Sequence, residues 1–263
     1  MMASMTTTLA IANQKGGVAK TTSVASIGAA LAELGHSVLL VDLDPQACLT
    51  FSLGIDPEDL EISVHHVLTK GIDPAEVILT TDDGVDLLPA TIELARAEAD
   101  LLTRTGREHV VKSVLEQLAE NGTVYDWVLL DCPPSLGVLT VAALTAASGV
   151  LIPLQCETLS HRGVGQLLDT VHDVRRFTNR GLEVWGVLPT LYDGRTNHSR
   201  TVLETIAETY QLEVVEPPIP KTIKFAEAPA AGRSILATSR TSKGAQAYRE
   251  VAANLIGRAE RAR

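Results

Sequence analysis

Aromatic residues are scarce in this sequence of 263 residues, where phenylalanine, tryptophan and tyrosine together make up only 3%. We therefore expect a hydrophobic core built mainly from leucine, valine, isoleucine and alanine. The scarcity also argues against a protein that binds single-stranded nucleic acid, because such proteins stack successive bases on aromatic side chains. With 45% hydrophobic and 21% charged residues, the composition is that of a folded globular chain and excludes a disordered one.

Cysteines and long apolar runs are also few. The three cysteines, Cys48, Cys132 and Cys156, stand far apart, with no histidine near them at metal-ligand spacing. They are predicted to be reduced thiols of a cytoplasmic protein, and we expect no metal cluster held by cysteine or histidine. No apolar run reaches the roughly 18 residues that a membrane-spanning helix needs. The residues from Met1 to Thr8 include no basic segment, so we expect no secretory signal.

Positive charge is in the minority, with 22 lysines and arginines against 32 aspartates and glutamates and a net charge of −10. This balance argues against attraction of DNA or acidic lipid to the whole surface. The distribution is uneven, because nine basic residues stand against three acidic ones from position 221 onward. We therefore expect a local basic face on an otherwise acidic protein.

Short aliphatic runs alternate with stretches of helical period along the chain. Several runs are apolar throughout, as expected for strands of a parallel sheet that helices cover on both faces. The pattern predicts an α/β fold, with a doubly wound, mostly parallel sheet and helices on both faces. The predicted strands are Thr8–Ala12, Ser37–Asp42, Val85–Pro89, Tyr125–Asp131, Gly149–Gln155 and Glu183–Thr190, with a weaker one near Val214. The clearest predicted helices are Thr21–Leu34, Ser160–Phe177, Thr196–Tyr210 and Ser242–Ala259.

No linker, internal repeat or low-complexity stretch divides the sequence. We predict a flexible N-terminal tail at residues 1–7 and a single domain at residues 8–263. The acidic, proline-containing segment Asp56–Asp83 is interpreted as an elaboration of that domain.

A glycine-rich segment follows the first predicted strand and leads directly into the first predicted helix. Glycines between a strand and a helix N-terminus let backbone N–H groups approach a bound phosphate. In this setting Lys20 would reach the β- and γ-phosphates of a nucleotide, and the Thr21 hydroxyl would bind Mg²⁺. A glycine-rich turn without a ligand is the alternative. The P-loop NTPase interpretation predicts nucleotide contacts from Lys15, Gly16, Gly17, Val18, Ala19, Lys20, Thr21 and Thr22.

Three aspartates are predicted at the carboxyl ends of buried strands, where side chains of a parallel sheet face the ligand crevice. Asp42 and Asp44 lie at the end of the second strand, and Asp131 ends the strand Tyr125–Asp131. A hydrophobic strand that ends in aspartate is the Walker B pattern, whose carboxylate holds Mg²⁺. Asp44 followed by Pro45 would also cap a helix, and both roles can hold at once.

The phosphate loop departs from the pattern GxxxxGK[ST], because Gln14 and Ala19 occupy its two glycine positions. It carries a second lysine instead, Lys15. The segment KGGVAKTT resembles the deviant Walker A motif of the ParA/MinD family of dimeric ATPases. Most members of that family have glycine where this chain has Ala19, and an alanine there needs a negative φ or a strain of about 1 kcal/mol. The affinity for nucleotide is the property that this residue would affect.

The resemblance implies roles for several residues of the loop and the strand ends. Lys15 would cross a dimer interface to the partner's phosphates, and Asp44 would orient the attacking water. Asp42 would lie near the metal shell. The expected catalytic residues are thus Lys15, Lys20 and Asp44, and the expected Mg²⁺ residues are Thr21, Asp42 and Asp131.

Two C-terminal segments resemble signatures of the ParA (Soj-like) branch of this family. In one of them the backbone of Ile219 and Pro220 would border the adenine. Arg195, Lys221 and Lys224 would contact DNA, and Lys224 stands where arginine is usual, which keeps the charge but loses the bidentate fork. Without the resemblance these three residues would be interpreted as solvated surface charges.

The resemblance implies an Mg²⁺-dependent ATPase that is weak alone and is stimulated by a ParB-like partner. The ATP-bound homodimer would hold double-stranded DNA without sequence preference and so position or segregate DNA or another cargo. The expected location is the cytoplasm, in association with the nucleoid and without a membrane partner. One alternative is a MinD-like ATPase that cycles on membranes, which would need a basic amphipathic helix beyond the folded domain. A synthetase on the same scaffold would need a second substrate pocket, and a nitrogenase-type reductase would need suitable cysteines.

Overall fold

A seven-stranded sheet forms the centre of the computed structural model, which describes residues 6–157, 160–194 and 197–262. Its strands are β1 (Thr7–Ile11), β2 (Val38–Asp42), β3 (Leu79–Thr80), β4 (Asp86–Leu88), β5 (Trp127–Asp131), β6 (Gly149–Gln155) and β7 (Glu183–Thr190). They lie in the order β3-β4-β2-β5-β1-β6-β7. Neighbouring strands run parallel except at the β3 edge, where β3 pairs antiparallel with β4. The predicted doubly wound, mostly parallel sheet is confirmed.

Helices cover both faces of this sheet. Short 3₁₀ turns lie at Pro57–Asp59, Pro74–Glu76, Arg107–His109 and Pro229–Ala231. The helices of the described residues are α1 (Lys20–Glu33), α2 (Cys48–Ser52), α3 (Val64–Lys70), α4 (Leu94–Leu102), α5 (Val110–Glu120), α6 (Val138–Ala146), α7 (Ser160–Phe177), α8 (Asn197–Tyr210), α9 (Lys224–Glu227), α10 (Ile235–Thr238) and α11 (Lys243–Ala262).

Two hydrophobic layers result, one on each face, because successive side chains of a strand point to opposite sides. In β2, Leu39 packs in the layer that α3 to α8 cover, while Leu40 packs in the layer under α1, α10 and α11. Gly28 lets α1 lie close to the sheet, since a Cβ at this position would be 2.7 Å from Leu40 Cδ2. The N-terminus of α1 is thereby held over the carboxyl ends of the central strands.

The N-terminal boundary differs from the prediction. Thr7 already belongs to β1, and the Thr6 hydroxyl donates a hydrogen bond to Tyr125 O at 2.8 Å. These two residues therefore belong to the folded part, and the predicted tail at residues 1–7 is too long. Residues 1–5 lie outside the described part of the chain.

Two further segments refine the predicted elements. The weak strand expected near Val214 is a single bridge to Val187, and it lies beside the edge strand β7. The acidic segment Asp56–Asp83 contains α3 and the antiparallel strand β3, neither of which was predicted. Its final residue, Asp83, accepts hydrogen bonds from Arg233 Nε at 2.8 Å and from Ser234 N at 2.6 Å. The segment is thus tied to the chain that follows α9.

Candidate nucleotide site

The strand order brings three predicted site segments to one edge of the sheet. β5 lies between β1 and β2, and the register pairs Ile11 and Asp42 with Asp131. The glycine-rich loop leaves β1 at this edge and enters α1 at Lys20. The loop, Asp42 and Asp131 therefore meet where a doubly wound sheet binds its ligands.

Two buried polar side chains hold the loop in place. Asn13 Nδ2 donates to Pro153 O at 2.7 Å, and Asn13 Oδ1 accepts from Lys15 N at 3.0 Å. The Thr190 hydroxyl donates to Val18 O at 2.9 Å. The loop is thus fixed to the ends of β6 and β7 as well as to β1. Sequence reasoning assigned no role to Asn13 or Thr190, although a polar residue at the end of an apolar strand was the available signal.

The backbone of the loop exposes N–H groups at the start of α1. Gly17 has φ 73°, a left-handed conformation that favours glycine. Ala19 caps α1 with φ 62° and ψ 34° and makes no side-chain capping hydrogen bond. The first N–H groups of a helix have no partner within it, and the residues that carry them here, Lys20, Thr21 and Thr22, line the cleft. The sequence left two possibilities for Ala19, a negative φ or a strained positive φ, and the structure shows the strained positive φ.

The two lysines of the loop have different surroundings. Lys20 is only 7% exposed, and its Nζ lies 3.4 Å from Lys15 O. Burial lowers the pKa of Lys20, and the nearby Asp131 carboxylate opposes this shift. Lys15 instead reaches outward, where its Nζ pairs with Glu157 Oε2 at 2.5 Å. The Lys20 side chain is therefore buried within the loop and lines the cleft, whereas the Lys15 side chain lies outside the cleft.

Asp131 is fully buried, and neither of its carboxylate oxygens accepts a well-formed hydrogen bond in the described part of the chain, although the Thr21 side chain is near enough to stabilise its charged form. Burial raises the pKa of Asp131 well above its usual range, and repulsion from Asp42 adds to the shift, while Thr21 and Lys20 oppose it. A buried carboxylate without partners is costly unless a cation compensates it. These residues fit Mg²⁺, which takes one or two protein carboxylates and completes its shell with water and phosphate oxygens. In the described residues no group of three or more histidines, cysteines or acids could hold a metal by itself.

Asp42 has a different environment from the one predicted for a metal residue. Its Oδ2 accepts from Thr50 N at 3.0 Å and from the Thr50 hydroxyl at 2.7 Å, and its Oδ1 accepts from Asp44 N at 3.1 Å. Burial raises its pKa to about 6, and the hydrogen bonds from Thr50 oppose the shift. The Thr50 hydroxyl also accepts from Ala90 N at 3.0 Å. This arrangement favours a role for Asp42 in holding the turn that carries Asp44 over direct contact with a metal.

Asp44 lies in the turn between β2 and α2 and lines the cleft. Its Oδ1 accepts from Gln46 N at 3.0 Å, and its carbonyl accepts from Ala47 N at 2.9 Å. The residue that caps α2 is Ala47, with φ 51°. The prediction that Asp44 caps α2 is therefore wrong. Asp44 instead stabilises the turn before α2, and its carboxylate lines the same cleft as the phosphate loop.

The cleft has a volume of about 480 Å³ and combines a polar floor with an apolar wall. Phe225 and Tyr248 pack edge to face with centroids 5.7 Å apart, and the Tyr248 hydroxyl lies 3.0 Å from Ser23 Oγ. Of the two residues predicted to border the adenine, Ile219 lines the wall of the cleft, whereas Pro220 is not among its lining residues in the described chain and pairs with Tyr192 in a bridge. The floor is formed by Gly16, Gly17, Ala19, Lys20, Thr21, Thr22 and Asp44, and the wall by Pro134, Leu191, Ile219, Thr222, Phe225, Ala226 and Tyr248, with Cys48 and Ser52 at one side.

The predicted basic face is smaller than the sequence suggested. Lys221 and Lys224 are exposed next to the cleft, while Arg195 lies outside the described residues. Three arginines of the basic C-terminal part are engaged in ion pairs across the fold. The pairs are Arg233 with Asp83 at 2.8 Å, Arg249 with Glu33 at 2.6 Å, and Arg258 with Glu213 at 2.6 Å.

The apolar stripe of α11 is buried rather than available to a membrane surface. Tyr248, Val251 and Leu255 are at most 2% exposed and pack with residues of α1 in one hydrophobic layer. Across the described residues, no helix combines the length and the apolar character needed to cross a membrane.

Comparison with known proteins identifies relatives over nearly the full chain. A family model described as an AAA domain matches residues 6–184. The sporulation initiation inhibitor protein Soj of Bacillus subtilis is 43% identical over 251 residues, which cover 94% of this chain and 98% of Soj. The chromosome partitioning protein ParA of Caulobacter vibrioides is 39% identical over 251 residues, covering 95% and 94% of the two chains.

A solved structure from Mycobacterium smegmatis, named cobyrinic acid a,c-diamide synthase and containing ADP and magnesium, is also similar. It has a TM-score of 0.87 and 55% identity, and the match covers 98% of this chain and 97% of that one. The fold around the cleft is therefore shared with a protein that binds a nucleotide and magnesium.

Proposed function

The chain belongs to the ParA/Soj family of ATPases, and we propose that it is an Mg²⁺-dependent ATPase whose ATP-bound dimer binds double-stranded DNA without sequence preference. The observation that carries this proposal is the phosphate loop, which lines the cleft with Lys20 and Thr21 next to the buried carboxylate of Asp131 at the end of β5. The bound ADP and magnesium of the similar M. smegmatis structure support the same ligands here.

The lining of the cleft favours one orientation for ATP. The phosphates lie on the loop, where backbone N–H groups and Lys20 meet their negative charge. Thr21 and Asp131 would hold the Mg²⁺, which would neutralise charge at the phosphates when bound. The base lies against the apolar wall, where Phe225 and Ile219 offer a surface for a planar ring. A polar floor and an apolar wall thus match the two ends of the nucleotide.

Hydrolysis requires a water molecule placed in line with the γ-phosphate. Asp44 lines the cleft beside the loop, and two hydrogen bonds within its turn fix its backbone and one of its carboxylate oxygens. We assign to Asp44 the orientation of this water. Phosphoryl transfer depends on positioning and charge stabilisation more than on covalent chemistry, and the residues present supply both.

Dimerisation is assigned to Lys15. Its ammonium lies outside its own cleft, paired with the half-exposed Glu157, so it can reach the phosphates of a second chain. An exposed ion pair of this kind contributes little stability, at most about 1 kcal/mol. Lys15 can therefore exchange Glu157 for a triphosphate, which carries more charge, when two ATP-bound chains meet face to face.

DNA binding is assigned to the exposed Lys221 and Lys224, together with Arg195. Each phosphate contact is weak and screened by salt, so one chain of net charge −10 should bind DNA poorly. Two chains in one dimer double the contacts on a single surface. We further propose that a ParB-like partner accelerates hydrolysis and that the protein acts in the cytoplasm on nucleoid DNA.

The name of the M. smegmatis structure points to a different reaction, the synthesis of an amide. Synthesis that draws its nitrogen from glutamine needs a reactive thiolate, which requires a lowered cysteine pKa. Burial raises the pKa of Cys156 to about 11 and raises those of Cys48 and Cys132 as well. None of the three cysteines thus has the lowered pKa of a reactive thiolate. The sequence matches to Soj and ParA therefore favour the partitioning function over amide synthesis.

Co-sedimentation with DNA and with anionic liposomes, each with and without ATP, tests the proposed function. We expect binding to unrelated DNA duplexes only with ATP, steep loss of binding as salt rises, and no binding to liposomes. The variant Lys221→Glu/Lys224→Glu should lose DNA binding but keep ATP-driven dimerisation. Lys70→Glu, a charge reversal at the exposed end of α3, is the control and should bind DNA normally. Liposome binding with ATP, or DNA binding by the double variant, would contradict the proposal.

A further inference from the structure

Backbone strain is concentrated around the nucleotide cleft. In the described residues, four positions other than glycine have a positive φ: Ala19 at 62°, Ala47 at 51°, Leu191 at 49° and Gln211 at 52°. Ala19 and Leu191 line the cleft, and Ala47 directly precedes Cys48, which also lines it. Residues with a side chain disfavour this conformation, and such strain is typical of functional sites.

Ala19 occupies the most consequential of these positions. It is the last residue of the loop and the cap of α1, so its φ and ψ set the direction of the N–H groups that follow. The preceding residue is held because Val18 O accepts from the Thr190 hydroxyl, and the carbonyl of Ala19 itself accepts from Ser23 N at 2.9 Å. At Gly17 the same loop uses glycine for a φ of 73°, whereas at position 19 it uses alanine for a similar angle.

We propose that Ala19 sets the nucleotide affinity of this site by making the binding-competent loop conformation only partly populated without ligand. This inference rests on the proposed nucleotide binding. When Ala19 relaxes to a negative φ, the peptide groups at the start of α1 turn away from the phosphates. The apparent dissociation constant then equals the intrinsic one divided by the competent fraction, so it rises as that fraction falls. Bound nucleotide holds Ala19 in the left-handed conformation through the N–H groups that it contacts.

Replacement of Ala19 by glycine tests the proposal, because strain relief and added loop flexibility change the nucleotide affinity in opposite directions. Glycine removes the cost of the left-handed conformation, so Ala19→Gly should bind Mg²⁺-ADP about three- to ten-fold more tightly. If flexibility of the loop were the dominant effect, glycine would loosen the unbound loop and weaken binding instead. The association and dissociation rates of the nucleotide distinguish strain relief from loop flexibility further. Since the bound conformation is the same in both proteins, the gain should appear in the association rate, with dissociation unchanged.

Gln211→Gly provides a matched control. Gln211 has a φ of 52° at the exposed end of α8, so glycine relieves similar strain there at a site that does not line the cleft. Both variants should gain thermal stability, but only Ala19→Gly should gain affinity.

The experiment is stopped-flow and equilibrium titration of a fluorescent ADP analogue with Mg²⁺ on wild type, Ala19→Gly and Gln211→Gly. Faster association and tighter binding in Ala19→Gly alone would support the inference. Equal affinities in all three proteins, or weaker binding by Ala19→Gly, would overturn it while leaving the proposed ATPase intact. If the wild type and Ala19→Gly both failed to bind, the proposed nucleotide site and this inference would fall together.

Discussion

The floor and the wall of the cleft are built in different ways. The floor comes from one continuous loop and from Asp44 after the end of β2, and hydrogen bonds to β6, to β7 and to Asp42 hold these residues in place. The wall comes from segments far apart in the chain, and Tyr248 reaches it only because α11 packs on α1. We infer that the floor determines phosphate binding and chemistry, whereas the wall determines which base is accepted.

The largest effect is expected at the floor, from Lys20→Ala. The buried ammonium is lost where the phosphates would lie, and hydrogen bonds to charged groups are among the strongest. ATP affinity should fall roughly 100-fold, a magnitude consistent with the loss of one or two such bonds. Isothermal titration calorimetry measures the change. Binding within a factor of three of wild type would mean that the phosphates do not lie on this loop.

The next largest effect is expected from a change at Asp44, which should lower the rate of hydrolysis without lowering ATP affinity. Asp44→Ala should bind ATP normally but hydrolyse it roughly 100-fold more slowly, because a water-orienting group acts mainly in the transition state. Phosphate release under saturating ATP gives the turnover. Asp44→Asn is the matched control, since the amide keeps the turn but not the charge. If Asp44→Ala turns over like wild type, Asp44 serves only the turn.

The wall should show a smaller and more selective effect. Phe225→Ala removes an aromatic surface for the base, and such stacking contributes about 1 to 3 kcal/mol. We expect ATP affinity to fall about ten-fold while the affinity for inorganic triphosphate stays unchanged. Competition binding with both ligands tests this division. A parallel loss for both ligands would show that the wall supports the phosphates too.

The smallest effect is expected from Tyr248→Phe, which keeps the wall and removes one hydroxyl. The Tyr248 hydroxyl lies 3.0 Å from Ser23 Oγ in a buried region, so its loss should cost about 1 kcal/mol of unfolding free energy. ATP affinity should stay within two-fold of wild type. Urea denaturation measures the first quantity and calorimetry the second. A large loss of affinity would show that the hydroxyl itself contacts nucleotide.

The difference between floor and wall also explains what the sequence could predict. The floor depends on local order, in which a strand, a glycine-rich turn and a helix follow each other, and a motif of this kind can be recognised from residues 11–22 alone. The sheet was predictable for the same reason, because apolar runs and helical periods are local patterns. The short strand β3 was missed, since two residues at an edge carry no such pattern.

The remaining features depend on contacts between distant residues. The positive φ of Ala19 could be posed as an alternative from the sequence, but the outcome depends on how Thr190 and α1 fix its neighbours. Contacts between distant residues also explain why the basic C-terminal part has fewer unpaired positive charges than expected. Arg233, Arg249 and Arg258 find acidic partners more than 40 residues away, which no count along the chain reveals.

The central claim is that ATP brings two chains together through Lys15. Sedimentation equilibrium with Mg²⁺ and a non-hydrolysable ATP analogue tests it on wild type, Lys15→Ala and Glu157→Gln. We predict a dimer for wild type and for Glu157→Gln, which only frees Lys15, and a nucleotide-bound monomer for Lys15→Ala. A normal dimer of Lys15→Ala, or a wild type that stays monomeric while it binds the analogue, would contradict the account.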